Sequence, residues 1–275
     1  GDCRALSRRE GELVSRCLRG GLHYFLYYRF IVIKTLCKRA PYDLAEDDLT
    51  GVLNGAATFP QNVSIAGINL LLTGADTRQL AIGDSNTALS SVLPLTMTGT
   101  SAEQAARLAA FNELRALDHD FKLVRAASDT RTSALQTRAA LASVNPALTT
   151  LFPNTSLGRQ LLQVARVIKA STDPAAGIDM KRQIFFTQIG GFDTHSNQVA
   201  VMATLLGQLA PALRAFYDAT VQLGVASQVT TFTLSDFGRT FQPASGAGTD
   251  HAWGNHHFIL GGAVRGGEMF GRYPT

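Results

Sequence analysis

After Cys37 the chain contains no cysteine. The three it has, Cys3, Cys17 and Cys37, are odd in number and lack metal-type spacing, so they suggest neither a disulfide framework nor a cysteine-ligated zinc site. Charge is also scarce, at 17% of residues, with a formal net charge of only +4. That is too little to form the basic stripe of a nucleic-acid binder. No run of about 18 uncharged apolar residues occurs, so no transmembrane helix is expected. The Gly-x-Ser-x-Gly elbow of serine hydrolases is missing as well. Internal repeats and low-complexity tracts are absent. At 275 residues the chain is long enough for one large domain or two small ones.

What is present is unevenly spread. Residues 1–40 hold nine Lys/Arg against three acidic residues, while the remaining 235 are slightly acidic. All three cysteines and four of six tyrosines precede residue 43. Residues 1–54 therefore form an atypical basic, Cys/Tyr-rich segment, distinct from residues 55–275. Three readings of it compete. It is a membrane-surface arm, because "GLHYFLYYRFIVIKTL" mixes bulky apolar residues with Arg29 and Lys34. It is an export signal, because "SRRE" at Ser7–Glu10 is similar to a twin-arginine start, although Glu10 and Glu12 argue against this. Or it is disordered or scrambled sequence, such as a misread gene end.

From about residue 55 the pattern is regular. Val63–Leu72 and Arg78–Gly83 predict strands or a hairpin around a Gly74–Thr77 turn. Ser101 and Gln104 have capping-box spacing, and apolar residues from Leu108 to Val124 recur every three or four positions. This predicts a helix from about 102 that continues with breaks toward Ser143, ended by Asn145-Pro146. A second helix is expected after an N-cap in 154–156, with Leu157, Leu161, Val164 and Ile168 as its apolar stripe. Then come a buried strand over Arg182–Gly190, a helix over Ser196–Gly224 kinked at Pro211, a strand over Ser227–Ser235 and another over His256–Val264. Strand, helix, strand at this spacing is a crossover with parallel strands. The expected class is α/β, a mostly parallel sheet flanked by helices.

Ligands of such sheets bind beyond the carboxyl ends of the strands. There the first late strand delivers Asp193, Thr194 and His195 in "GGFDTHSNQ". The second delivers Ser235, Asp236 and Arg239 in "SDFGRT", and the loop before the third carries Asp250, His251, His256 and His257 in "TDHAWGNHH". Asp carboxylates and imidazoles at close range serve either a divalent metal or proton transfer. Arg239 suits a phosphate or sulfate oxygen. Plainer roles stand beside these. Asp193 caps the following helix, His195 is a surface residue, and Asp236-Phe237-Gly238 is a tight turn. Of the adjacent His256 and His257, at most one faces the site. Trp253 packs beneath the loop, and "DHD" at Asp118–Asp120 is a solvated helix end.

The segments "GGFDTHSNQ", "SDFGRT" and "GTDHAWGNHHFILGGAVRGGEMFG", in that order, resemble those of a bacterial family of unknown function. Its members typically carry a twin-arginine export signal and are grouped with the alkaline phosphatase and sulfatase superfamily. The resemblance covers roughly residues 55–275, and "GDCRAL" at the start is similar to the opening of the mature domain. It implies an alkaline-phosphatase-like sandwich, incomplete here at both ends, and a periplasmic or exported location. It implies a divalent metal (zinc first, manganese or calcium next) on Asp193, His195, Asp236 and His251 or His256. Arg239 and Thr194 would act on the substrate, a small anionic ester or a polysaccharide sulfate or phosphate. Three features depart from the pattern. Phe237 stands where the superfamily has a histidine, the early "GGND" aspartate is missing, and no nucleophilic Ser or Thr is identified in the N-terminal third. The expected activity is metal-dependent hydrolysis of phosphate or sulfate esters, or that of an inactive remnant. The alternative is a non-catalytic exported binding or assembly protein on the same fold.

Overall fold

A computed structural model of the protein describes residues 27–35, 54, 59–73, 79–91, 101–117, 121–142, 147–172, 178 and 180–271. The cysteines, the "SRRE" and "DHD" stretches, His23, the Gly74–Thr77 turn and Asn145-Pro146 lie outside the described residues.

Six strands form one sheet: β1 (Tyr27–Thr35), β2 (Asn62–Ser64), β3 (Gln79–Ala81), β4 (Arg182–Gly190), β5 (Val229–Leu234) and β6 (Ile259–Gly261). Their order across the sheet is β3-β2-β4-β1-β5-β6. β3, β2 and β4 are parallel neighbours, whereas β1 is antiparallel to both β4 and β5, and β6 is antiparallel to β5. Four of the six strands therefore share one direction. The class is α/β, with a parallel three-strand part and helices flanking the sheet.

Three details differ from the sequence reading, the first being that β6 covers only Ile259–Gly261 of the expected His256–Val264 run. β4 and β5 run the same way but are not neighbours. β1, from inside the compositionally distinct 1–54 segment, lies between them along nine paired positions of β4. Local patterning sets an element's type and cannot name a partner about 150 residues away. Also, β2 and β3 pair in parallel, so they are no hairpin. The run after Ser64 leaves the sheet. Asn69 Oδ1 accepts from Leu71 N, closing a 3-10 turn at Leu70–Leu72.

The helices follow their sequence cues. α1 (Ala102–Ala116) starts at a complete Ser101/Gln104 capping box. α2 spans Lys122–Ala142. The apolar stripe across this pair does not find a core, since Leu114, Leu117, Phe121 and Val124 are all exposed. α3 (Ser156–Thr172) opens with Thr155 Oγ1 accepting from Gly158 N, and its Leu157, Leu161, Val164 and Ile168 are fully buried. α4 (Gln198–Gln222) buries Leu205, Leu209, Ala212 and Phe216 and continues through Pro211. By length and composition alone α4 would suffice to cross a membrane. Its buried side joins the same core cluster as α3.

β4 is the centre of the packing because both its faces are covered. Phe185 and Ile189 join the main core beneath α3 and α4, while Ile184 and Phe186 join Leu72, Phe232 and Leu234 on the other face. Each buried Phe contributes about 1.5–3 kcal/mol from desolvation. β4 is thus a rigid base, and the chain leaves it directly into the "GGFDTH" segment.

Candidate metal centre

Gly191 turns the chain at the end of β4 with φ of +97°, a conformation costly for any residue with a Cβ. Burial alternates along the next residues, and His195 N donates to Asp193 O (3.2 Å), a tight turn centred on Thr194. Phe192 and Thr194 are buried, while Asp193 and His195 point outward. The turn folds His195 back toward Asp193, which puts both side chains on the outer side.

The second half of the site arrives by backbone pairing. Residues 246–249 lie alongside 194–198. Asn197 N donates to Gly246 O (2.9 Å), Gln198 N to Ala247 O (3.0 Å) and Thr249 N to Thr194 O (3.1 Å). Gly248 makes this approach possible, because a Cβ there would overlap the backbone of His195 and Ser196. The chain beyond β5 is tied to the same loop. Arg239 N donates to Gly254 O (2.8 Å), and Thr240 N to Asp250 O (2.9 Å).

These contacts converge on one oxygen. Asp193 Oδ1 lies 2.8 Å from His195 Nε2, 2.8 Å from His251 Nε2 and 2.6 Å from Arg239 Nη1. The other nitrogen of His195, Nδ1, lies 3.0 Å from Asp250 Oδ1. His251 stacks on Phe237, with ring centres 4.0 Å apart and planes inclined by 17°. Asp193, His195 and His251 each offer a ligand atom within 4.8 Å of the others. The imidazoles are about half exposed (49% and 47%) and the Asp193 side chain is 22% exposed. One carboxylate oxygen and two imidazole nitrogens suit zinc and other borderline divalent ions.

Only part of the expected ligand set is in this group. Asp236 and His256 are exposed and stand outside it. A strand end fixes where a loop begins and leaves the loop's later course open. Arg239 is not an open anion clamp. Nε donates to Thr249 Oγ1 (2.9 Å), Nη2 to Thr249 O, and Nη1 to Asp193. Its side chain is largely buried, and Phe237 lies 5.6 Å from its guanidinium carbon. Thr194 is buried and its hydroxyl has no hydrogen-bond partner, so it does not face the cluster. Asp193 does not cap α4. The N-cap is Asn197, which makes no side-chain cap, and the helix start is met by loop carbonyls instead. Trp253 is not beneath the loop. It is 41% exposed and leans on Phe241.

Phe237, Thr249 and Gln198 belong to the site's support and carry no sequence signal of their own. Thr249 Oγ1 donates to Gln198 Oε1 (2.8 Å) while accepting from Arg239, which makes it a hinge between α4 and the guanidinium. Asp250 is placed in the right loop by the sequence, but its role needs the 3.0 Å contact to His195.

Burial pushes the Asp193 carboxyl pKa up, but hydrogen bonds from His251 and Arg239 and the charge of both imidazoles outweigh it. The net value lies below the usual carboxylate range. A depressed folded value means stability that is present above the unfolded pKa of about 4 and lost as pH falls through the folded one. The stability gap between parent and Asp193→Asn should therefore be full at neutral pH and close below about pH 4. Urea unfolding at a series of pH values measures it.

No curated protein and no solved structure matches the chain. A family model does. Residues 98–275, well over half of the chain and including every residue of the cluster, match the family described as "Protein of unknown function (DUF1501)". The chain belongs to that family.

Proposed function

We propose that the chain is a metal-dependent hydrolase of phosphate or sulfate esters, with Asp193, His195 and His251 holding one divalent cation. The observation that carries this is the meeting of three ligand atoms, from two segments some 55 residues apart, within 4.8 Å. Zinc fits best. Two imidazoles and one carboxylate are a common zinc set, manganese tolerates it, and calcium with its preference for six to eight oxygens fits poorly. Such an ion would polarise an ester oxygen and raise the reactivity of water at neutral pH. The chain's own residues prepare the place. Arg239 keeps Asp193 ionised and fixed, and Thr249 fixes Arg239. The half-exposed imidazoles leave the centre open to solvent, which suits a small anionic ester or an ester group on a polysaccharide. Export to the periplasm belongs to the same reading and rests on the family resemblance.

One observation favours a second reading, a non-catalytic exported binding or assembly protein. The Thr194 hydroxyl is buried, that of Thr249 is engaged with Arg239 and Gln198, and the Arg239 guanidinium is committed to Asp193. The test combines metal analysis of the purified protein with aryl phosphate and aryl sulfate assays. About one equivalent of metal, and hydrolysis that a chelator abolishes, is the expected result. Bound metal without hydrolysis supports the binding protein. Failure to bind metal, with no affinity for added zinc, overturns the metal centre itself.

A further inference from the structure

The two imidazoles of the cluster are oriented by different means. His251 has the flat face of Phe237 against its ring at 4.0 Å. His195 has no such stack on Phe237. Its ring is inclined by 40° to that of His251, with centres 5.1 Å apart. Instead it lies between two carboxylates, with Nε2 2.8 Å from Asp193 Oδ1 and Nδ1 3.0 Å from Asp250 Oδ1.

We infer that Asp250 is the positioning residue of His195: it holds the proton on Nδ1 and so makes Nε2 the atom that binds the cation. This rests on the metal-centre reading above and assigns a role within it. An ionised carboxylate can only accept, so Asp250 fixes a donor at Nδ1. A bound cation would take the place of a proton at the other nitrogen, because the ionised Asp193 beside it is likewise only an acceptor. That nitrogen, Nε2, is the one facing Asp193 Oδ1 and His251. A second carboxylate behind a ligating histidine sets the ring's orientation and strengthens its donor atom.

The backbone of Asp250 is held independently of its side chain. Thr240 Oγ1 accepts from Asp250 N (3.1 Å), and Asp250 O accepts from Thr240 N (2.9 Å). The carboxylate itself is 65% exposed and carries no core packing. Removing it therefore tests the His195 contact without disturbing the loop. This contrasts with Arg239, whose side chain braces the loop directly.

The experiment compares the parent protein with Asp250→Asn and Asp250→Ala. Zinc affinity is read by competition with a chelating dye, and the coordinating and protonated nitrogens of His195 by nitrogen-15 NMR of the zinc-loaded protein. Asp250→Ala should bind zinc roughly 10–100-fold more weakly, the usual cost of losing such an outer partner. Asp250→Asn, which keeps an accepting oxygen, should fall between. In the zinc-loaded parent, His195 should bind through Nε2 and carry its proton on Nδ1, and this preference should be lost in Asp250→Ala. Zinc affinity within twofold of the parent, together with an unchanged tautomer, overturns the inference. If the parent binds no zinc, the metal centre fails and this inference with it, whereas zinc binding that is the same in parent and Asp250→Ala overturns only the role of Asp250.

Discussion

Asp193→Ala should abolish stoichiometric zinc binding and also destabilise the metal-free protein by about 2 kcal/mol, the scale of a lost charge-assisted hydrogen bond. Both effects come from the same oxygen. Oδ1 is one of the three ligand atoms, and it is also the acceptor for Arg239 Nη1 at 2.6 Å. Removing the carboxylate leaves a largely buried guanidinium facing two imidazoles with nothing to balance it. Thr249 still holds two of its donors, so the loop is weakened and not released. A loss of this size lowers Tm by roughly 4–8 °C for a domain of this length. Because a ligand is lost and not merely its support, zinc affinity should fall by more than the roughly 100-fold upper limit for outer partners. Asp193→Asn separates the two effects. Its amide keeps an accepting oxygen for Arg239 but no charge, so it should recover part of the stability and little of the affinity. Thermal unfolding and dye competition on the two variants measure this. Unchanged zinc binding in Asp193→Ala would remove Asp193 from the centre.

Gly248→Ala should disrupt the centre without touching any polar side chain. The added Cβ would overlap the carbonyl carbon and oxygen of His195 and the nitrogen of Ser196, all backbone atoms that cannot rotate aside. The strands of contact on either side must then part. The hydrogen bonds at risk are Thr249 N to Thr194 O and Gln198 N to Ala247 O. Overpacking of this kind costs about 1–3 kcal/mol, and more where only backbone can yield. The larger consequence is geometric. Asp250 and His251 follow Gly248 closely, so shifting the loop moves them away from His195 and Asp193. Zinc affinity should fall at least as far as in Asp250→Ala, while far-UV circular dichroism stays that of the parent. Gly266→Ala is the control, because a Cβ there meets nothing within 4 Å. Parent-like affinity in Gly248→Ala would mean that the loop does not hold the centre together.

The elements were legible where their cues are local. Ser101 and Gln104 announce a capping box, and the structure has one. "RQIFFTQIG" reads as a buried strand, and β4 covers those nine residues with both faces packed. The same periodicity misleads across α1 and α2. The stripe from Leu114 to Val124 has helical spacing, yet its residues face outward. Spacing shows that a face is apolar, and only packing shows whether something covers it.

At the site, metal-binding residue types in the loops around the strand ends pointed to Asp193, His195 and His251, because ligands of an α/β sheet bind beyond the carboxyl ends of its strands. The pattern could not separate these from Asp236 and His256, which share the same loops and the same chemistry. What separates them is the course of residues 246–254 over the end of β4, set by backbone hydrogen bonds and by two positions without a Cβ, Gly238 and Gly248. Arg239 shows the same limit. Its charge suggested an anion ligand, and its surroundings supply the anion from within the chain, as Asp193.

The sequence by itself determined the α/β class, the extents of β4, β5 and the late helices to within two or so residues, and the strand ends at which metal-binding residue types collect. These depend on short-range periodicity, capping and residue chemistry, all of which act over a few residues. Tertiary structure alone decided that β1 separates β4 from β5, that three candidate ligands converge and two do not, and that Arg239 and Asp250 are supports. Those outcomes depend on contacts between segments far apart in the chain, where placement within an ångström decides whether two polar groups bind each other or stay in water.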